Sequence, residues 1–154
     1  MDDKKTIDRF TKETGYDFLS NFYGSTVSFE GQLYSTVEHA YQASKSLDRS
    51  VRETIRKAKS PAEAKKLGQC IAVRVDWNEV KIDIMRTLIK EKFENPFLRP
   101  LLLATDDADL ILNNKWNDKF WGVCRNEGEN WLGKILMEER ARIKEEVIND
   151  DSIP

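Results

Sequence analysis

A carboxylate, an amide and an amine recur at helical spacing within one short segment of the 154-residue sequence. Glu38, Gln42 and Lys45 stand at positions i, i+4 and i+7, so a helix places them within about 40° of one another. A carboxylate and an amine that converge on one ligand are the groups used in acid–base and nucleophilic chemistry. The same spacing also fits a solvated helix face with weak polar pairs, and it leaves both interpretations open.

Aromatic side chains are concentrated late in the sequence. Three of the four tryptophans, Trp116, Trp121 and Trp131, lie within 16 residues, beside several asparagines and Asp118. Tryptophan usually fills a core. A cluster with polar neighbours is also suited to stacking against a flat ligand such as a nucleobase. The sequence leaves these two interpretations open as well.

The loop before the last helix has features of an anion site. Asn130 is predicted to cap that helix, and Gly128 permits close approach of the backbone. A helix N-terminus with these neighbours can hold an anion, although an ordinary loop-to-helix junction has the same composition. Arg125 is the nearest of a set of cations that can contact phosphate or serve as surface charges. The set comprises Arg52, Arg56, Lys57, Arg74, Lys115, Lys119 and Arg125.

Local patterns predict the elements that position these residues. Alternation over residues 26–34 around Gly31 predicts a β-hairpin. Thr36 is the predicted N-cap of a helix over 37–47, and a second helix fits 49–58. Ser60, with proline following it, predicts the start of a third helix, and Gly68 its end.

The remainder of the chain is also mostly helical in pattern. An apolar stripe predicts a long helix from Trp77 to about residue 94, and a further helical stretch covers 97–104. Short strands are predicted at 109–112 and 120–124, and a final helix at 131–148. The fold class is therefore α+β and predominantly helical, without the alternating pattern of a parallel βαβ sheet. Residues 1–14 are expected to be a flexible segment, 15–148 a single domain, and 149–154 a flexible tail.

Composition excludes several classes of protein. The net charge of −2 disfavours a general nucleic-acid coating protein. No apolar run approaches the roughly 18 residues of a membrane helix, so we expect no membrane association. Two cysteines outside any CxxC pair and a single histidine disfavour a Cys/His zinc site. We expect no metal, and a reducing cytoplasm as the location.

Four ordered blocks of the sequence resemble the NADAR (YbiA-like) family. They are residues 18–23 (Phe-Leu-Ser-Asn-Phe-Tyr), 34–45 around Glu38, 117–122 (Asn-Asp-Lys-Phe-Trp-Gly) and 128–137 (Gly-Glu-Asn-Trp-Leu-Gly-Lys-Ile-Leu-Met). Trp77, before the long helix, also falls in the expected place. The resemblance runs from about residue 15 to 143. One departure is Gly24, where the family usually has proline; it changes a turn and not the chemistry.

The resemblance implies an N-glycosidase, which cleaves a ribose-to-nitrogen bond without a cofactor. Some members act on phosphoribosylamino-pyrimidines, early intermediates of riboflavin biosynthesis, and release ribose 5-phosphate. Others remove ADP-ribose from guanine bases, often beside an ADP-ribosyltransferase that attaches it. The family motif carries over to Glu38 and Lys45 as catalytic residues. The expected substrate contacts are Asn21, Phe22, Gln42, Trp77, Asp118, Trp121, Arg125, Gly128 and Asn130.

Two routes would use Glu38 and Lys45 differently. Cleavage develops positive charge on the ribose, which a buried Glu38 carboxylate stabilises, or Glu38 activates water. A neutral Lys45 would instead form a Schiff base with the ring-opened sugar, although a nearby carboxylate favours the charged amine. Otherwise Lys45 anchors phosphate or ribose.

The alternative from a different class is a non-catalytic module that binds ADP-ribose or an NAD-derived ligand.

Overall fold

The structure is a computed structural model that describes residues 3–151. Residues 21–92 form one compact unit, and the segments before and after them in the sequence form the other. The described part of the chain holds six α-helices and four short strands. This confirms the α+β, predominantly helical fold class.

The central unit begins with the predicted hairpin. Strands β2 (Val27–Phe29) and β3 (Gln32–Tyr34) pair antiparallel, with Val27 opposite Tyr34. The turn residues Glu30 and Gly31 have φ of 47° and 84°, as a two-residue hairpin turn of this hand requires. The helices of this unit are α1 (Val37–Ser44), α2 (Arg49–Arg56), α3 (Pro61–Gln69) and α4 (Trp77–Lys92).

Helix starts follow the predicted caps. The Thr36 hydroxyl accepts a hydrogen bond from the His39 backbone N–H at 3.0 Å, and the Ser60 hydroxyl accepts one from Glu63 at 3.1 Å. The predicted end of α3 is wrong, because the helix continues through Gly68 to Gln69. The reason for glycine at position 68 is its neighbour in space, Gln42, which is described below.

Helix α1 is buried along its whole length. All eight of its residues are buried, and it packs against the other three helices of the unit and the hairpin. Buried polar groups need partners. The His39 ring has three: Nδ1 lies 2.7 Å from the Thr36 hydroxyl and 3.4 Å from the Ser35 hydroxyl, and Nε2 lies 3.0 Å from the Ala58 carbonyl oxygen. The Nε2 contact ties the start of α1 to the segment just after α2.

The second unit is built around its last helix. It contains β1 (Thr6–Ile7), α5 (Arg99–Leu103), β4 (Asp109–Leu110) and α6 (Trp131–Asp151). Strands β1 and β4 pair in parallel, and Ile7 is 3% exposed, within the segment that we predicted to be flexible. The strand predicted at 120–124 is wrong: this stretch contributes only isolated bridges, Asn113 with Val123 and Cys124 with Glu127.

Left-handed backbone explains the missing strand. Arg125 and Asn126 have φ of 53° and 64°, which turns the chain back immediately after Cys124. The pairs at Val123 and Cys124 therefore remain isolated bridges and do not extend into a strand. Among residues 3–151, none of the helices combines the length and apolar character needed to cross a membrane.

Candidate active site

Glu38 is a buried residue whose carboxylate and backbone are each held by a hydrogen bond. Its side chain is in the middle of the α1 packing, with the residue 7% exposed. The Gln42 amide Nε2 donates a hydrogen bond to Glu38 Oε1 at 2.8 Å. The Glu38 backbone N–H donates to the Asn21 carbonyl oxygen at 3.1 Å. The i, i+4 stripe is thus a set of buried, bonded groups and not a solvated helix face.

Lys45 directly follows α1 and is half-buried. Burial lowers the pKa of its ammonium group below the ordinary value, and this is the largest effect. The Glu38 charge acts in the opposite direction, whereas the charges of Lys65 and Lys81 also lower the Lys45 pKa. Desolvation therefore outweighs the nearby carboxylate, which was the conflict that the sequence left open.

Aromatic rings connect Lys45 to the start of α4. Lys45 Nζ lies 5.5 Å from the centre of the Tyr41 ring, and the Tyr41 and Trp77 ring centres are 5.4 Å apart. The Lys45 carbonyl oxygen accepts a hydrogen bond from the Arg74 backbone N–H at 2.7 Å. We call Glu38, Tyr41, Gln42, Lys45 and Trp77 the α1 cluster. It brings both predicted catalytic residues together with two of the predicted substrate contacts, Gln42 and Trp77.

Asn21 and Phe22 precede this cluster in the same unit. Besides the carbonyl contact to Glu38, Asn21 directs its side-chain Nδ2 at the Met85 sulfur, 3.6 Å away. Asn21 Oδ1 is buried and has no hydrogen-bond partner among the described residues. Phe22 is 42% exposed, so its ring remains accessible to a ligand. Their roles as substrate contacts stay predictions.

Asp118 and Trp121 lie in the other unit, in a loop that is internally braced. Asp118 Oδ1 accepts hydrogen bonds from the backbone N–H groups of Phe120, at 3.1 Å, and Trp121, at 2.9 Å. Asn114 accepts from the Asp118 N–H at 2.9 Å and donates to its carbonyl at 2.8 Å. Our sequence interpretation missed Asn114; the signal available was an asparagine four residues before an aspartate, in a stretch without helical pattern.

Trp116, Trp121 and Trp131 divide between packed and solvent-accessible environments. Trp121 and Trp131 are half-buried, and both rings lie against Phe120, with ring centres 4.8 Å and 6.4 Å away. Trp116, in contrast, is 59% exposed. Two of the three tryptophans therefore contribute to packing, and the third presents its ring to solvent. The roles of Asp118 and Trp121 in substrate binding stay predictions.

The Asn130 side chain does not cap α6, which corrects our prediction. Its Oδ1 accepts from the Leu112 N–H and its Nδ2 donates to the Leu110 carbonyl, both at 2.9 Å. Because the oxygen and the nitrogen of the Asn130 amide both form hydrogen bonds with backbone at or just after β4, the side chain holds that strand in place. Its assignment as a substrate contact has no support from these bonds and stays a prediction.

Gly128 permits a close approach, as predicted, but the approaching group is backbone. A Cβ at this position would lie 2.2 Å from the Gly122 carbonyl oxygen, and φ is 150°. Arg125 is exposed, with its left-handed backbone at the turn. Whether Gly128 and Arg125 contact substrate stays a prediction.

Among residues 3–151, no three His, Cys, Asp or Glu side chains group together as a metal site would require.

Comparison with known proteins identifies the family. The sequence model of the NADAR domain family matches residues 9–144. The N-glycosidase YbiA of Shigella flexneri serotype 5b (strain 8401) is 38% identical over 141 residues, covering 89% of this chain and 88% of that protein. A riboflavin biosynthesis protein of Vibrio vulnificus (strain YJ016) is 34% identical over 140 residues, covering 88% of this chain and 38% of that protein.

A solved structure gives the same result for the fold. The NMR structure of the Escherichia coli protein YbiA superimposes with a TM-score of 0.84 at 35% identity, covering 96% of this chain and 90% of that one. The chain belongs to the NADAR domain family. It is an enzyme of the N-glycosidase class, a hydrolase that acts on N-glycosyl compounds.

Proposed function

We propose that this enzyme hydrolyses the ribose-to-nitrogen bond of a phosphoribosylamino-pyrimidine and releases ribose 5-phosphate. The observation that carries the proposal is the pairing in the α1 cluster of a buried carboxylate with a lysine whose pKa is lowered by burial. The Vibrio relative, named a riboflavin biosynthesis protein, supports this substrate class. The net charge of −2 also favours a small metabolite over long DNA.

Glu38 acts on the charge that develops at the sugar. When the bond from C1′ to nitrogen weakens, positive charge grows on C1′ and on the ring oxygen. A carboxylate withheld from water stabilises that charge more strongly than a solvated one, because the local dielectric constant is lower. The Gln42 hydrogen bond fixes the Glu38 oxygen in place before substrate arrives.

Lys45 acts as the nucleophile in our proposal. The ribosylamine opens to an imine between C1′ and the base nitrogen, and the neutral Lys45 amine adds to C1′. The base then leaves as its free amine, and C1′ remains bonded to Lys45 as an imine. Water adds to C1′ and displaces the lysine, so one water is consumed and ribose 5-phosphate is the second product. No oxidant or reductant takes part.

The test is a turnover panel followed by mass spectrometry. It contains the phosphoribosylamino-pyrimidine, ADP-ribosylated guanine in DNA, NAD and free ADP-ribose, each with and without borohydride. Release of ribose 5-phosphate from the pyrimidine alone supports the proposal. Release of ADP-ribose instead would transfer the assignment to guanine adducts and make an ADP-ribosyltransferase the supplier of substrate. Binding without turnover of any compound would contradict the proposed reaction on this panel.

Lys65→Gln should move the pH dependence of the reaction to higher pH. The Lys65 charge is one cause of the lowered Lys45 pKa, so its removal raises that pKa and leaves less neutral amine at a given pH. We expect the half-maximal pH of kcat/KM to rise by a few tenths of a unit, and less in concentrated salt. Lys66→Gln, in the next position of α3 and exposed, is the matched control. Identical profiles for the two variants would contradict the assigned role of Lys65.

A further inference from the structure

Gly68 leaves open the space that the Gln42 amide occupies. A Cβ built on Gly68 would lie 1.8 Å from Gln42 Oε1 and 2.7 Å from Gln42 Cδ, far closer than atoms of these types can approach. Gly68 is buried inside α3, where glycine weakens a helix relative to alanine. It does not end the helix, so its explanation is the space that it leaves for the glutamine amide.

The two ends of the Gln42 amide face different groups. Nε2 donates to Glu38 Oε1, and Oε1 lies against Gly68 without a hydrogen-bond partner among the described residues. Gln42 is only 3% exposed, so its amide is enclosed by protein. A buried acceptor without a hydrogen bond lowers the stability of the fold. The orientation of the Gln42 amide therefore serves a purpose other than stability.

The direction of the hydrogen bond determines which form of Glu38 it supports. An amide N–H donated to a carboxylate favours the ionised form, whereas an amide oxygen facing the same group would favour the protonated acid. Contact between Gly68 and the carbonyl end of the amide leaves the amino end directed at Glu38. A side chain at position 68 would displace the amide and remove the donor.

We propose that Gln42 is a positioning residue whose amide N–H holds the Glu38 carboxylate in place as a hydrogen-bond acceptor. Position 68 is glycine because a side chain there would displace the Gln42 amide. The inference rests on the catalytic role that the proposed function gives to Glu38. It assigns Gln42 to the carboxylate and not to direct binding of substrate, in place of the substrate contact that the family resemblance implied.

The first test uses Gln42→Met, which keeps the length of the side chain and removes the donor. The lost hydrogen bond is to a charged group, so kcat should fall about 10- to 100-fold while KM changes little. The acid limb of the kcat/KM profile should move to higher pH, because the ionised form of Glu38 loses a donor. A rise in KM with kcat and the pH profile unchanged would overturn the proposal in favour of substrate binding.

The second test examines whether Gly68 acts through Gln42. Gly68→Ala alone should lower kcat to the level of Gln42→Ala. In the Gln42→Ala background the same change should add little, since only a 3.0 Å contact with the Gln42 Cβ remains. Losses in kcat that multiply in the double variant would overturn the link. Thermal unfolding of each variant identifies any that fails to fold, and Gln42→Met then provides the answer.

A measurement without turnover separates this inference from the proposed function. The carboxyl of Glu38, labelled with ¹³C, is titrated by NMR in the wild type and in Gln42→Met. We expect a higher titration midpoint in the variant; an unchanged midpoint would overturn the inference. Failure of the wild type to cleave any substrate on the panel would count against the proposed function only, because this titration requires no substrate.

Discussion

Lys45→Ala is expected to lower kcat by about 1,000-fold or more and to abolish trapping of sugar by borohydride. The amine is the atom that bonds C1′ in the proposed route, and the other lysines near it, Lys65 and Lys81, affect it through charge. Mass spectrometry of the borohydride-reduced wild type should locate the sugar adduct on the peptide that contains Lys45. The same peptide should be unmodified when substrate is omitted.

One further variant of Lys45, with a matched control, distinguishes a nucleophile from an anion anchor. Lys45→Arg keeps a positive charge but cannot supply a neutral amine, because a guanidinium stays protonated. If Lys45 only anchors phosphate, arginine should restore much of the lost kcat/KM, which would contradict the Schiff-base route. Lys66→Ala, an exposed lysine of α3, should retain wild-type kcat and wild-type trapping.

Local chemistry made part of the fold predictable. The hairpin turn and the caps at Thr36 and Ser60 depend on residues within four positions of one another, and each is confirmed. The pairing of β1 with β4 joins Thr6 to Asp109, about a hundred residues away in sequence, and no local pattern specifies such a partner. The burial of Ile7 follows from that pairing and was missed for the same reason.

The candidate site was also only partly predictable, because local spacing does not show what packs against a helix face. Spacing placed Glu38, Gln42 and Lys45 on one face but left a solvated face as an open alternative. What buries that face is α3 and the other elements packed around α1. Gly68 illustrates the difficulty: near the end of a helical pattern, glycine usually indicates a C-terminus. Its actual constraint is a contact with a residue 26 positions earlier, which the sequence pattern does not reveal.

Glu38→Gln should lower kcat by about 100- to 1,000-fold and leave KM nearly unchanged. The substitution preserves size, and an amide oxygen at position 38 still accepts from Gln42, but the negative charge that stabilises the developing positive charge is lost. Replacing a buried charge with a neutral group should not lower the melting temperature, so the loss in kcat is not a folding defect. Steady-state kinetics and thermal unfolding of one preparation check both expectations.

The pattern of borohydride trapping separates the roles of Glu38 and Lys45. A Glu38→Gln enzyme still carries the Lys45 amine, so incubation with ribose 5-phosphate and borohydride should label Lys45, although turnover of the phosphoribosylamino-pyrimidine is slow. The acid limb of its pH profile should also lose one proton of dependence, leaving only the titration of Lys45. Loss of labelling in a folded Glu38→Gln enzyme would mean that the carboxylate is needed to form the imine itself. Glu38 would then act chiefly in proton transfer at Lys45, and stabilisation of charge on the sugar would be the smaller part of its contribution.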